Sequence, residues 1–353
     1  MLTAFVMLLA CSGAPEKGDD SASPNDTQHT DTGSPPSDTA SQDTATKDTS
    51  SQDTGTTDTA RPDTGDAPTP VATSYTFSSH WGVGSLQDPR GVAFYNDELY
   101  VADAGNDRIA VFDASGTMTR TIAGADAGDA AATNPKGIHL DDTGRVWVPD
   151  HDGDRVLVFD TTGKLLFVVG QPGTDAGEFD APYDIAFDAS GLAYITDYKN
   201  QRVQIFSADG TYQSHWGSQG TGAGEFQNPS GIAIDENDLV YVADTLNDRV
   251  QVFDTSGNLQ TVIGGPGGDL GRFNDPHQVF IDASGYLYVA DQYNARCQKL
   301  TLEGDPVTTV GDGQGSGDGE LNWPFGCTTN DEGMLFVGDM RNDRVSIWSP
   351  VYP

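Results

Sequence analysis

Six prolines, at positions 89, 135, 182, 229, 276 and 324, are each followed by a side chain of different chemistry: Arg90, Lys136, Tyr183, Ser230, His277 and Phe325. Brought to one place, two cations, a phenol, a hydroxyl, an imidazole and a phenyl ring could grip an anionic or aromatic ligand. The imidazole could also hold a metal or carry a proton. A second variable set, His151, Tyr198, Tyr293, Met340 and Arg341, follows an Asp that stands 14 or 15 residues after each proline. Zinc needs three or four ligands drawn from His, Cys and carboxylates on one point. His277 finds Arg, Lys, Tyr, Ser and Phe in the equivalent slots, and His139 and His151 do not complete such a set. No Ser lies in a G-x-S-x-G turn, and no glycine-rich loop joins a strand to a helix. The chemistry points to binding rather than catalysis, and no cofactor or metal is expected.

The elements that position these residues come from a repeat. The proline spacings are 46, 47, 47, 47 and 48, the Asp series is 103, 150, 197, 244, 291 and 339, and an Arg follows each Asp by five. One unit reads NPSGIAIDENDLVYVADTLNDRVQVFDTSGNLQTVIGG, which predicts four short strands, GIAID, LVYVAD, RVQVFD and LQTVIG, joined by turns such as DTSG. The first strand is apolar on both parities, as a strand buried on both faces must be. Four strands per unit of this length, repeated around an axis, predict an all-β propeller of six blades.

The segments DTLNDRVQVF (244–253), DAGNDRIAVF (103–112) and DMRNDRVSIW (339–348) resemble the NHL family of propeller repeats, and DYKNQRVQIF (197–206) fits as well. Two units depart from the pattern: Gly153 replaces Asn in the second, and DQYNARCQKL in the fifth lacks the aromatic. The resemblance spans Tyr75 to Trp348. It implies a six-bladed NHL-type propeller and little about activity, because the repeat is scaffold. Recurrence in every unit likewise makes the Asp and Arg structural: the Asp accepts from turn amides, the Asn three residues on tolerates left-handed backbone, and the Arg packs between blades. Around His277, PHQVFIDASGYLYVADQYNARCQ is similar to peptidyl-hydroxyglycine amidating lyases, which implies as an alternative a metal-dependent lyase or hydrolase working at the channel mouth. Calcium-dependent lactonase propellers carry oxygen ligands on the inner strands, whereas Val92-Ala93-Phe94, Ile185-Ala186-Phe187 and Ile232-Ala233-Ile234 offer none.

The sixth unit ends at DRVSIWSPVYP and lacks a fourth strand, while YTFSSHWG (75–82) aligns with the fourth strand TYQSHWG (211–217) and lacks a first three. The N-terminal segment is therefore expected to complete the last blade and close the ring, removing two exposed edges. In that frame the residues after the repeat prolines ring the mouth of the central channel, and the turns bearing His151, Tyr198, Tyr293 and Arg341 open on the same face. Cys297 and Cys327 replace aliphatics of neighbouring units, so they pack as small apolar groups in adjacent blades, with a disulfide left open.

The N-terminal part differs in kind. MLTAFVMLLAC ends in Leu8-Leu9-Ala10-Cys11, which resembles a bacterial lipobox, so residues 1–11 are read as a lipoprotein-type signal with Cys11 as the lipidated residue. Residues 12–74 carry almost no large apolar side chain, and within them Asp-Thr recurs every five positions from Asp38-Thr39 to Asp63-Thr64, the composition of a disordered linker. Residues 75–353 form the propeller. The expectation is an exported cell-envelope protein, on the outer membrane or cell surface, held to the membrane only through Cys11. A monomer is expected, with a protein, peptide or glycan as partner. Nucleic acid is not expected: 53 acidic and 18 basic side chains give a net charge of −35, and the propeller alone carries −26.

Overall fold

A computed structural model describes residues 71–124, 128 and 130–353. The lipobox with Cys11, and the linker up to residue 70, lie outside the described residues. Six four-stranded antiparallel sheets follow one another along the chain. In blade four the strands are Pro229–Ile234, Val240–Asp244, Arg249–Phe253 and Leu259–Gly264, running from the channel outward. In five blades the inner strand starts at the repeat proline and pairs there with the Asp that ends the second strand, as Pro229 does with Asp244, whereas in blade two it is shortened to His139–Leu140. That register places the second-to-third turns and the inter-blade links at the proline end of the channel. The first-to-second turns lie at the opposite end.

The ring closes as the repeat predicts. Strand Ser74–Trp81 pairs antiparallel with Arg344–Val351, from Ser74↔Val351 to Trp81↔Val345, and becomes the outer strand of blade six. Side chains seal the seam. Phe77 meets Trp348 edge-on at 6.1 Å, Trp81 packs on Phe336 at 5.4 Å, and the Tyr75 and Tyr288 hydroxyls lie 2.8 Å apart. Apolar clusters fill the wedges between blades. One joins Val92, Leu99, Val101 and Phe112 of blade one to Phe336, Val345 and Ile347 of blade six, so the last wedge is packed like an internal one.

The repeated Asp holds each blade to the link before it. All six Asp side chains are fully buried. Asp197 accepts from Arg202 Nε (2.8 Å), Asn200 Nδ2 (2.9 Å), Gln204 Nε2 (3.0 Å) and the Asp180 backbone N–H (2.9 Å). Arg202 then donates its remaining N–H groups to the carbonyls of Thr174, Asp175 and Glu178 in the preceding link. One expectation needs correcting. The left-handed residue of this turn stands four after the Asp, at Asp107, Asp154, Gln201, Asp248, Ala295 and Asp343, with φ between 51° and 58°. The Asn before it serves as a donor instead. In five of the six blades that left-handed side chain accepts a backbone N–H of the next blade, and Asp343 does so from Asp88 at 2.9 Å, across the ring closure.

Cys297 and Cys327 take the aliphatic slots expected of them. Both are buried free thiols, and their sulfurs lie 2.9 Å apart between blades five and six. Burial pushes the Cys297 thiol well above its ordinary pKa.

Candidate functional site

The residues after the repeat prolines do converge on the channel axis, but they fill the mouth rather than ring it. Tyr183, His277 and Phe325 lie nearly parallel, with ring centroids 5.9 Å (Tyr183–His277), 5.7 Å (Tyr183–Phe325) and 4.8 Å (His277–Phe325) apart. Tyr183 Oη lies 2.7 Å from His277 Nδ1. Arg90 covers Phe325 at 5.1 Å and Lys136 lies 6.0 Å from the Tyr183 ring centre. Tyr183, Lys136, His277 and Phe325 are buried, and Met340 joins them from its turn. Burial, aided by the Arg90 charge, depresses the Lys136 ammonium to about 7, and it holds the His151 imidazole down to about 4. Ser230 is fully buried and serves the scaffold, with its hydroxyl 2.6 Å from Thr245 Oγ1 and donating to the His277 carbonyl at 2.9 Å. His277 is held by Tyr183 and by Asp275 Oδ2 at 3.3 Å. Among the described residues no three His, Cys, Asp or Glu side chains assemble as a metal would require.

Around this sealed mouth, one sector of the exposed face is aromatic and cationic, while carboxylates such as Asp107, Asp152 and Asp343 are exposed elsewhere on it. Tyr293 is exposed and meets Trp323 edge-on at 5.3 Å, and the exposed Arg341 guanidinium stacks over Trp323 at 4.2 Å. Tyr198 lies against Tyr183 at 4.9 Å and near His151 at 6.2 Å. Trp323 is a residue that sequence reasoning missed. It occupies the position before the proline, which is left-handed in every blade and holds Asp88, Asn134, Ala181, Asn228 and Asp275 elsewhere. Trp323 adopts φ 57° there. A bulky residue in that region is uncommon and costs backbone energy.

The channel's other end is open. A cavity of about 170 Å³ runs between the inner strands of all six blades, with Phe94, Phe187 and Phe280 on its wall and Asp184 and Gln278 inside. The expectation that the inner strands carry no oxygen ligands is therefore corrected: Asp184 stands one residue before Ile185-Ala186-Phe187, and Gln278 and Thr328 stand on the inner strands of blades five and six. The second residue after the proline is Gly91, Gly137, Gly231 and Gly326 in four blades, and Asp184 and Gln278 in the other two. The glycines make room, since a Cβ at Gly137 would collide with the Asp184 carboxylate and one at Gly326 with the Gln278 carboxamide. That departure from glycine was the available signal.

Asp184 accepts from the Ile232 backbone N–H at 3.3 Å and from Gln278, yet burial lifts its pKa to about 7. An unfolded Asp loses its proton near 3.9. Between these values the folded chain holds more protons, so this group's contribution to stability is full below about pH 4. It falls as pH rises to about 7, by at most about 4 kcal/mol. Asp184→Asn keeps the shape and removes the charge. The variant is expected to exceed the parent in stability at pH 8 and to match it near pH 4 in paired urea titrations, where the titrations of Lys136 and the histidines cancel. A constant gap at both pH values would contradict this.

These features define a six-bladed β-propeller, sealed at one end of its channel and open at the other. A family model described as a 6-bladed beta-propeller matches residues 188–246. Among solved structures, a streptogramin B lyase is similar at TM-score 0.57 and 13% identity, over 77% of this chain and 97% of that one. A gluconolactonase from Xanthomonas campestris is similar at TM-score 0.57 and 14% identity, over 78% and 99%. An auxiliary nutrient binding protein from Bacteroides ovatus is similar at TM-score 0.58 and 16% identity, over 75% and 70%. At such identities the likeness is one of fold. No curated protein matches the chain.

Proposed function

We propose that this chain is a non-catalytic binding module, an NHL-type propeller held at a cell envelope through a lipid on Cys11, whose proline-end face takes a polypeptide partner. The observation that carries the reading is the Tyr293–Trp323–Arg341 stack, with Trp323 kept at a left-handed backbone position. Large rigid rings with an Arg across them are the side chains on which binding energy concentrates in protein interfaces. Leu246, 51% exposed on the equivalent turn of the neighbouring blade, extends the apolar surface. The sealed channel beneath gives the stack a rigid floor, so little ordering is needed on binding.

The test compares affinity capture from envelope extracts by the parent chain and by a Tyr293→Ala, Trp323→Ala, Arg341→Ala variant. The variant is expected to lose a specific protein that the parent retains. Equal recovery of every protein by both forms would contradict the reading, and loss of a glycan alone would reassign the partner class.

A further inference from the structure

We propose that the open end of the channel binds a small organic ammonium ion carrying an apolar body. The site lies on the face opposite the Tyr293–Trp323–Arg341 stack and stands independently of the reading made there.

Three observations converge on a cation. The first is an unmet acceptor. Gln278 is 93% buried, its Oε1 has no hydrogen-bond partner, and the residue lines the cavity beside Asp184. A buried polar oxygen left without a donor is costly; Oε1 packs against Gly326, so turning the carboxamide toward a ligand N–H in the cavity relieves a standing penalty. The second is the wall. Apart from these two acceptors the lining is mainly aliphatic and aromatic, with Phe94, Phe187 and Phe280 placed to face a cation or an apolar body. An apolar cavity of about 150 Å³ holds one benzene ring, so the roughly 170 Å³ here admits a group of that size. The third is the rim. Every first-to-second-strand turn around this end carries a carboxylate, represented by Asp97, Asp142, Asp188, Glu236, Asp282 and Asp331. Arg145 and Lys299 are tied to Asp141 and Asp282, and the body as a whole is strongly acidic. Such a field draws cations inward and repels anions.

The floor suits an ammonium group better than a metal. One carboxylate, one amide oxygen and the Thr328 hydroxyl fall well short of the six to eight oxygens calcium takes. His139, the histidine on the wall, is kept neutral above about pH 4 by burial and so does not oppose a cation. Asp184 also makes sense in this light, because a buried carboxylate with no cationic partner weakens the fold and is retained where a ligand supplies the charge.

The test is calorimetric titration of the full chain at pH 8 with benzylammonium chloride, benzyl alcohol, sodium benzoate and calcium chloride. The ammonium is expected to bind at least about ten-fold more tightly than the alcohol, the margin of a charge-assisted hydrogen bond, with no benzoate binding. Asp184→Asn should erase that margin, and Gln278→Leu should reduce it while leaving the fold intact. Equal affinity for ammonium and alcohol in the parent chain, no ammonium binding, or calcium binding that excludes the ammonium would each overturn the proposal. None of these outcomes depends on a variant folding or on the capture experiment.

Discussion

Deleting residues 71–81 is expected to abolish cooperative melting near the parent temperature, lowering Tm by roughly 15 °C or more. The segment supplies the whole outer strand of blade six, and its loss bares the edge of Arg344–Val351 to solvent. Phe77 and Trp81 are only partly buried, so each sits at the low end of the aromatic range, about 3 kcal/mol. Their sum is already comparable with the total stability of an ordinary domain. The hydrogen bonds Tyr75–Tyr288 and His80–Ser346 go with them. A freed edge strand also invites pairing between molecules, so the truncated chain should aggregate on heating. Scanning calorimetry on both forms measures this, and an unchanged transition would show that blade six stands without its borrowed strand.

The second large effect is expected from Asp197→Ala. Arg202 is 7% exposed and ion-paired to this carboxylate at 2.8 Å. Removing one partner of a buried pair leaves the other charged and uncompensated, a loss of about 3–5 kcal/mol. Asn200 and Gln204 lose an acceptor at the same time, and the Asp180 N–H that joins blade three to its link is left unpaired. Three link carbonyls still receive Arg202, which keeps the effect local to blades two and three. Urea unfolding measures the change, and a loss below about 1 kcal/mol would mean that the Asp is not the anchor of the link.

The fold was legible because the repeat states it several times over. Proline, Asp and Arg recur at fixed offsets, and a terminal unit short of one strand faced a leading segment with one to spare. The site was less legible, and the reason is volume. Sequence placed Tyr183, His277 and Phe325 around the channel mouth, but nothing in their order says that three rings together fill its cross-section. Arg90 and Lys136 lie beside those rings, so the cations read as a recognition surface are largely spent on the plug. The turn geometry was misplaced by one residue, because Asn is the usual left-handed residue while here it donates to the Asp and passes the positive φ to its successor. Asp184 and Gln278 were hidden because each occupies a slot that is glycine in the other four blades, between a buried proline-end residue and an apolar stretch. Trp323 lies in the link GDGQGSGDGELNWP, which the repeat places on this face, but it precedes the proline rather than following it, so the variable positions do not single it out.

One inner strand offers the most direct test of a channel closed at one end and open at the other. Ser230 is fully buried at the proline end of blade four, and Ile234 lines the cavity four residues on. Single cysteines at these positions, in a background with Cys11→Ser, Cys297→Val and Cys327→Val, can be timed against a small charged thiol reagent. The Ile234→Cys thiol is expected to react at least about ten-fold faster than the Ser230→Cys thiol, which should wait on local opening of the fold. Equal rates, or faster reaction at 230, would contradict the placement of the open end.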